Sequence, residues 1–349
     1  MLSLIQEHTR LIYHLDDKNF NIRTIKAREL LIGERFDIFA KLFYIRYKET
    51  NKAKALEVYT KHIKAFNPDG KEPGREDKLS IADFTTVFDD LISYFKDNEF
   101  DASISVIPVD SDGVILDGAH RLAALAYYDK DVTIAQFSDV KSKCKFDYNY
   151  FMNRGLRWEI CNLIALEMVR WLPNVYCVCL WPKLSIKDKE VIFGDLSAKH
   201  NIIYKRAIHI NLSALTKFVQ EIYKEQDWTK SFTSVQNKAL RCYGNSGVLK
   251  VVFIESKLSL NEMIEEKEEL RKHFNYGKDS LHITDNSKET YDIANLVLDC
   301  DKLISWNPNQ ASKLNRIKEK ISERILYFKK VQWINFKVLV ARTIRTISK

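Results

Sequence analysis

Asp117-Gly118-Ala119-His120-Arg121 places a carboxylate, a glycine, an imidazole and a guanidinium in one short run. These residue types suit the holding of a phosphoryl group. A glycine permits a tight turn with an exposed backbone N–H. A helix that starts at once offers the unpaired N–H groups and the partial positive charge of its N-terminus to phosphate oxygens. His120 and Arg121 fall in that first turn, where an imidazole and a planar guanidinium fork can meet the same anion. Asp-Gly is also a common turn and His-Arg a common solvated helix start, so the pentapeptide alone leaves both readings open.

The surrounding elements support the first. Residues 102–109 (ASISVIPV) alternate as a strand, Ser111-Asp112-Gly113 reads as a hairpin turn, and residues 114–116 form a short return strand that delivers Asp117. Residues 119–128 (AHRLAALAYY) make a strong helix whose Leu122, Ala123, Leu125 and Ala126 bind it to a sheet, and residues 132–137 are a further strand. Upstream, residues 1–20 look helical and amphipathic, and residues 21–32 run as a strand into a turn at Gly33. Apolar residues at helical spacing over 36–66 suggest two helices. Residues 67–78 (NPDGKEPGREDK) are the clearest loop, and Ser80 with Asp83 opens a helix to about residue 95 as a capping box.

DGAHRLAALAYY, preceded by VIPVDSDGVIL and followed by a strand, resembles the core of the ParB/sulfiredoxin superfamily over residues 100–137. The resemblance implies a Gly-x-(His or Arg)-Arg turn that holds phosphates. Sulfiredoxins place their reactive Cys where this chain has Ala119, which excludes thiol chemistry. ParB proteins usually carry Gly-Glu-Arg-Arg followed by a helix-turn-helix, and no such reader follows residue 137 here. Asp-Gly-x-His-Arg is closest to the free serine kinases of this fold. It implies a nucleotide-dependent phosphotransferase in which Gly118, Ala119, His120 and Arg121 hold phosphate and Asp117 contacts magnesium or the acceptor hydroxyl. The expected cofactors are Mg²⁺ with ATP or another nucleotide, and the acceptor a hydroxylated amino acid or a sugar-related precursor. A non-catalytic nucleotide-binding module that gates the second half or a partner is the alternative. The family's catalytic Glu is placed by position alone at Glu34, with Asp37 and Lys41 on the same helix face; a solvated helix start is the competing reading.

The expected class is α/β (α+β). A ParB/sulfiredoxin-like domain spans residues 1–145 with a helical insertion at 36–95, a second α/β domain spans 150–310, and a basic helical tail spans 311–349. The second domain shows a helix over 157–171 and a buried strand over 175–180 (VYCVCL). Further strands are expected at 191–193, 202–204, 207–210 and 248–254, and helices at 212–223, 260–274 and 288–298. Ser280-Leu281-His282-Ile283-Thr284-Asp285 reads as a strand with His282 and Thr284 outward, so His282 and Asp285 could serve a metal or phosphate site. A core-edge His and an N-cap Asp are the plainer reading. RFDIFAKLFY, DGAHRLAA and SLHITDNSKET together also resemble uncharacterised proteins that accompany bacterial surface-polysaccharide synthesis, a resemblance that assigns no reaction.

With 55 Lys and Arg against 47 Asp and Glu the net charge is +8 over 349 residues. Acidic residues are interspersed almost throughout, unlike the basic stripe of a nucleic-acid reader, so no specific nucleic acid is expected as partner. The six cysteines form no CxxC pair. Cys177 and Cys179 would share one strand face, and reduced core thiols are expected. No leader or run of eighteen apolar residues is present, which predicts a cytoplasmic protein. Residues 331–349 mix apolar and basic residues and could touch the inner face of the membrane peripherally, although a packed C-terminal helix is the more ordinary explanation.

Overall fold

The structure is a computed structural model and describes residues 2–308 apart from 73, 143–144 and 274–275. The tail at 311–349 lies outside the described residues. The fold is of the mixed α/β class, with two separate sheets among helices.

The chain begins with a short helix α1 (Glu7–Tyr13) and strand β1 (Phe20–Lys26). Helices α2 (Phe36–Tyr47), α3 (Lys52–Phe66) and α4 (Ile81–Asp97) follow, as the helical spacing predicts. Ser80 caps α4 by accepting from the Asp83 N–H, while the Asp83 carboxylate takes the Leu79 N–H instead of that of Ser80. Strand β2 (Ile107–Val109) is shorter than its alternating pattern suggests, since 102–104 form a turn. Helix α5 (Ala119–Tyr127) then leads to β3 (Asp131–Phe137). In the first sheet β3 is central, antiparallel to β1 and parallel to β2. The expected return strand at 114–116 is reduced to one bridge, Val109 to Ile115. Asp110 replaces a longer ladder. Its buried carboxylate accepts from the Asp112, Val114 and Ser142 N–H groups and ties the turn together.

The second half comprises α6 (Tyr148–Asn153), α7 (Trp158–Trp171), β4 (Val175–Leu180), α8 (Ile186–Lys199), β5 (Asn201–His209), α9 (Leu212–Ile222), α10 (Phe232–Cys242), β6 (Val248–Glu255), α11 (Leu260–His273), β7 (Leu281–Ile283), α12 (Ser287–Leu298) and α13 (Cys300–Trp306). Its four strands are antiparallel in the order β5-β6-β4-β7. Period-two alternation sends Val178, Leu180, Val252 and Ile254 to one face, under α8 and α11, and Cys177, Cys179, Val251 and Phe253 to the other. Residues 191–193, expected as a strand, lie inside α8. A Ser185–Asp188 capping box starts that helix, and Ile192 and Leu196 bury one face of it. The strands expected at 202–204 and 207–210 are one strand, β5, with an irregularity between Ile202 and Tyr204.

Helix α2 links the halves. Ten of its twelve residues are buried, including Asp37 and Lys41, which marks a central helix and not a surface one. It packs on α3, α5 and α7, and the apolar core runs continuously from Ala27 beside the first sheet to Trp306 beside the second.

Candidate functional site

The β2–α5–β3 unit sets the Asp117–Arg121 turn where its parallel strand pair would predict a ligand, beyond the carboxyl end of β2 and at the N-terminus of α5. Gly118 is the cap of α5 at φ 88° and ψ 23°, a conformation that side chains rarely adopt. Arg121 folds back over it, so that a Cβ on Gly118 would stand 3.0 Å from Arg121 Nη2. The guanidinium is held only loosely by the Asp117 carboxylate, at 3.4 Å.

The turn opens on a cleft of about 540 Å³. One wall is built by the start of α2. Arg35 grips Asp37 with two hydrogen bonds of 2.8 and 2.9 Å, and its third nitrogen donates to the Ile115 carbonyl at 2.5 Å, just before the turn. Lys41, one helical turn on, donates to the same Asp37 carboxylate at 3.3 Å. All three side chains are almost fully buried. Burial alone would raise the Asp37 carboxyl, but Arg35 and Lys41 outweigh it and hold it far below the usual carboxylate range. Two cations share one carboxylate, so this wall carries a net positive charge. Lys78 and Arg75, from the loop before α4, add cations that pair with Glu72 and Asp77.

Two imidazoles complete the lining. His120 lies among Tyr59, Phe84 and Phe88 and hydrogen-bonds the Tyr59 hydroxyl through Nε2 at 3.0 Å. His62, on α3, is fully buried, and among the described residues neither of its ring nitrogens has a hydrogen-bond partner. Burial, reinforced by the Lys41 charge, pushes both imidazoles well below their ordinary pKa, so both are neutral near pH 7. An orphaned buried imidazole in the wall of a charged cleft is a polar group waiting for a partner.

Compared with models of known families, with curated proteins and with solved structures, this chain matches none. The geometry therefore stands on its own.

Of the residues expected from sequence, Asp117, Gly118, Ala119, His120 and Arg121 all line the cleft, as do Asp37 and Lys41. Glu34 does not. It precedes α2, pairs with Lys145, and faces a separate depression with Phe193, Asn201 and Lys205. The chain turns inward at Arg35, so Asp37 and Lys41 share a face that Glu34 leaves. His282 and Asp285 lie together elsewhere, in a cavity of about 700 Å³ in the second half. His282 and Thr284 are buried and not outward, because β7 is covered. The cap of α12 is Asn286, and Asp285 instead pairs with Lys267.

His62, Lys78 and Tyr59 were missed. His62 sits at helical spacing among apolar residues and Lys78 in a loop, and neither pattern signals a site. Among the described residues no group of three His, Cys, Asp or Glu could hold a metal, and no helix is long and apolar enough to cross a membrane. Cys177 and Cys179 do share a face, with Sγ atoms 3.9 Å apart, and burial drives the Cys177 thiol well up.

Proposed function

We propose that the cleft is the site of a nucleotide-dependent phosphotransferase acting on a small hydroxyl compound. The observation that carries this reading is the convergence, in one cleft, of the Gly118–Arg121 helix start, the buried Arg35–Asp37–Lys41 wall and two neutral imidazoles. Phosphoryl transfer asks a protein chiefly for positioning and for positive charge around the transferring group. Arg121 and the α5 N-terminus would hold phosphate oxygens, with Lys41 and Lys78 adding charge elsewhere in the lining of the cleft. The acceptor hydroxyl oxygen would attack the terminal phosphorus; an O–P bond forms as the bond to the leaving phosphate oxygen breaks. His120 Nδ1 would accept a hydrogen bond from the acceptor hydroxyl and orient it, because its Nε2–H is committed to Tyr59 and its Nδ1 has no hydrogen bond among the described residues. The hydroxyl proton would leave on the oxygens of the transferred phosphoryl group, since burial and the nearby cations make the imidazole a poor base. Asp117 is the one carboxylate at the turn suited to magnesium carried by the nucleotide, a coordination that needs only one or two carboxylates beside the phosphates. Magnesium would neutralise charge on the phosphates.

Calorimetry with nucleotide and magnesium tests the binding. Arg121→Ala should weaken it by about 1.5–3 kcal/mol, the worth of a charge-assisted bond. An unchanged affinity in a folded variant would remove the anion cradle.

A second reading, a nucleotide-binding module without catalysis, is favoured by one feature. Asp37 is gripped on both sides and both imidazoles are pushed below their ordinary basicity, so none of these groups is a ready base. Phosphorus NMR with a panel of hydroxylated amino acids and sugars separates the two. Transfer that is abolished in Asp117→Asn while binding persists supports the enzyme. Tight binding with no product from any acceptor supports the module.

A further inference from the structure

The cavity holding His282 and Asp285 is distant in sequence from the Asp117 turn and has a different chemistry. It lies between α10, the start of β7 and the α11 and α12 helices, encloses about 700 Å³, and is lined by Lys238, Arg241, Lys267, Arg271 and Lys278. Lys238 and Arg241 share the single carboxylate of Asp279, at 2.7 and 3.1 Å. Lys267 is paired with Asp285, and Arg271 with Glu268. The remaining donors of Arg271 reach only the Leu281 carbonyl, at 3.3 and 3.4 Å, and Lys278 pairs with no carboxylate among the described residues. Lys267 and Arg271 are themselves less than a tenth exposed. Cationic donors thus outnumber the carboxylates that answer them, and water screens the buried pair Lys267 and Arg271 less than it does the exposed Arg241 and Lys278.

The opposite wall carries one carboxylate, Glu289, beside groups that can read hydroxyls. His282 Nε2 lies 3.0 Å from Glu289 and Nδ1 3.2 Å from the Tyr223 hydroxyl. Burial would raise the Glu289 carboxyl, but its bonds from His282 outweigh this and keep it ionised. Glu289 must therefore accept from Nε2–H, and in the neutral imidazole Nδ1 accepts the Tyr223 proton. The Tyr223 oxygen is left with its lone pairs free to accept from a ligand O–H. Trp228 donates its indole N–H to the Gln226 side-chain oxygen at 2.5 Å, which leaves the Gln226 amide NH₂ to donate. The Asn237 side chain makes no hydrogen bond among the described residues. Tyr223 and Trp228, with ring centroids 5.3 Å apart and planes inclined at 53°, supply an apolar corner beside these groups.

We propose that this cavity is a second ligand site, for a sugar phosphate. The cationic rim fits the phosphate dianion, Tyr223, Gln226 and Asn237 fit ring hydroxyls of both donor and acceptor kind, and the aromatic pair fits the apolar face of a pyranose or furanose. Nothing in this assignment depends on the nucleotide cleft.

Isothermal titration of the full chain with a panel of hexose and pentose phosphates, inorganic phosphate and the free sugars tests it. At least one sugar phosphate should bind ten or more times tighter than inorganic phosphate, and the free sugars should show no binding. Lys278→Glu, an exposed residue whose change cannot unfold the core, should weaken both phosphate probes at least tenfold. Tyr223→Phe should weaken the sugar phosphate and leave inorganic phosphate unchanged. Arg121→Ala, which removes the proposed anion cradle of the other cleft, should leave the sugar phosphate affinity unchanged. Sugar phosphate binding that is indifferent to Lys278→Glu, or that is lost in Arg121→Ala, would overturn the assignment, as would a panel in which no sugar phosphate binds.

Discussion

The Tyr59 hydroxyl stands 3.0 Å from His120 Nε2 and 3.2 Å from the Phe84 carbonyl oxygen. A phenol has one proton, and the buried carbonyl can only accept, so Tyr59 donates to Phe84 and accepts from His120 Nε2–H. The neutral imidazole is thereby fixed with an unprotonated Nδ1. The sequence suggests that His120 donates to phosphate, whereas this tautomer makes it an acceptor, suited to a hydroxyl proton. Tyr59→Phe should release the constraint. Nitrogen-15 NMR of the His120 ring should change from a single tautomer to a mixture, with a stability loss of about 1 kcal/mol for the lost bond. A ring spectrum that is identical in the variant would contradict the assigned tautomer.

The Arg35–Asp37–Lys41 wall predicts an asymmetric response to mutation. Asp37→Asn removes the only carboxylate between two buried cations and should cost about 3–5 kcal/mol in urea unfolding. Replacing all three by apolar residues of similar volume should cost much less, because no uncompensated charge remains. The anion affinity of the cleft should nevertheless fall in that triple variant. A triple variant as unstable as Asp37→Asn would mean that the network does more than satisfy itself.

Stability should depend on pH through His62 and His120. Burial holds both below their ordinary value, so the folded state refuses protons that the unfolded chain accepts below about pH 6.5. Their contribution is complete above that pH and is lost as pH falls, by about 1.4 kcal/mol per pH unit for each ring. Asp37, held low, adds its own loss only below about pH 4. The interval between these limits reports on the imidazoles. In His62→Gln the slope of unfolding free energy against pH there should drop by about half. An unchanged slope would show that His62 is not the group being titrated.

Period and punctuation made much of this fold legible before the structure. The helices from Phe36 to Phe66 follow from apolar spacing, the α4 start from Ser80, and the β4 strand from an unbroken apolar run between Pro173 and Pro182. Residues 191–193 mislead because Val191-Ile192-Phe193 is also a short apolar run, and the Ser185–Asp188 cap that decides for helix lies six residues upstream. The α10 helix, with Val235, Ala239 and Cys242 buried, carries the same kind of signal but is absent from the helices expected from sequence. The Asp117 turn was visible because its groups are contiguous. His62 and Lys78 were not, because only tertiary packing carries α3 and the loop before α4 to that turn. Glu34 illustrates the converse, a residue three places from Asp37 that backbone direction sends elsewhere.

Gly113 and Gly118 offer a controlled comparison. They share nearly the same backbone angle, φ 87° and 88°. An alanine at either position should cost about 1–2 kcal/mol, the penalty of placing a Cβ in the left-handed region. Their surroundings differ. A Cβ at Gly113 meets nothing within 4 Å, whereas one at Gly118 stands 3.0 Å from Arg121 Nη2 and 3.3 Å from its Nε. Contacts at 3.0 Å force a shift of the flexible guanidinium, the group proposed to hold phosphate. The two variants should therefore lose similar stability in denaturant, while only Gly118→Ala should lose affinity for nucleotide, toward the level of Arg121→Ala. Combining Gly118→Ala with Arg121→Ala should weaken binding by less than the product of the two single effects, since both act through one side chain. Equal affinity losses in the Gly113 and Gly118 variants would instead trace the effect to general loosening of the turn, and Arg121 would lose its special place in the site.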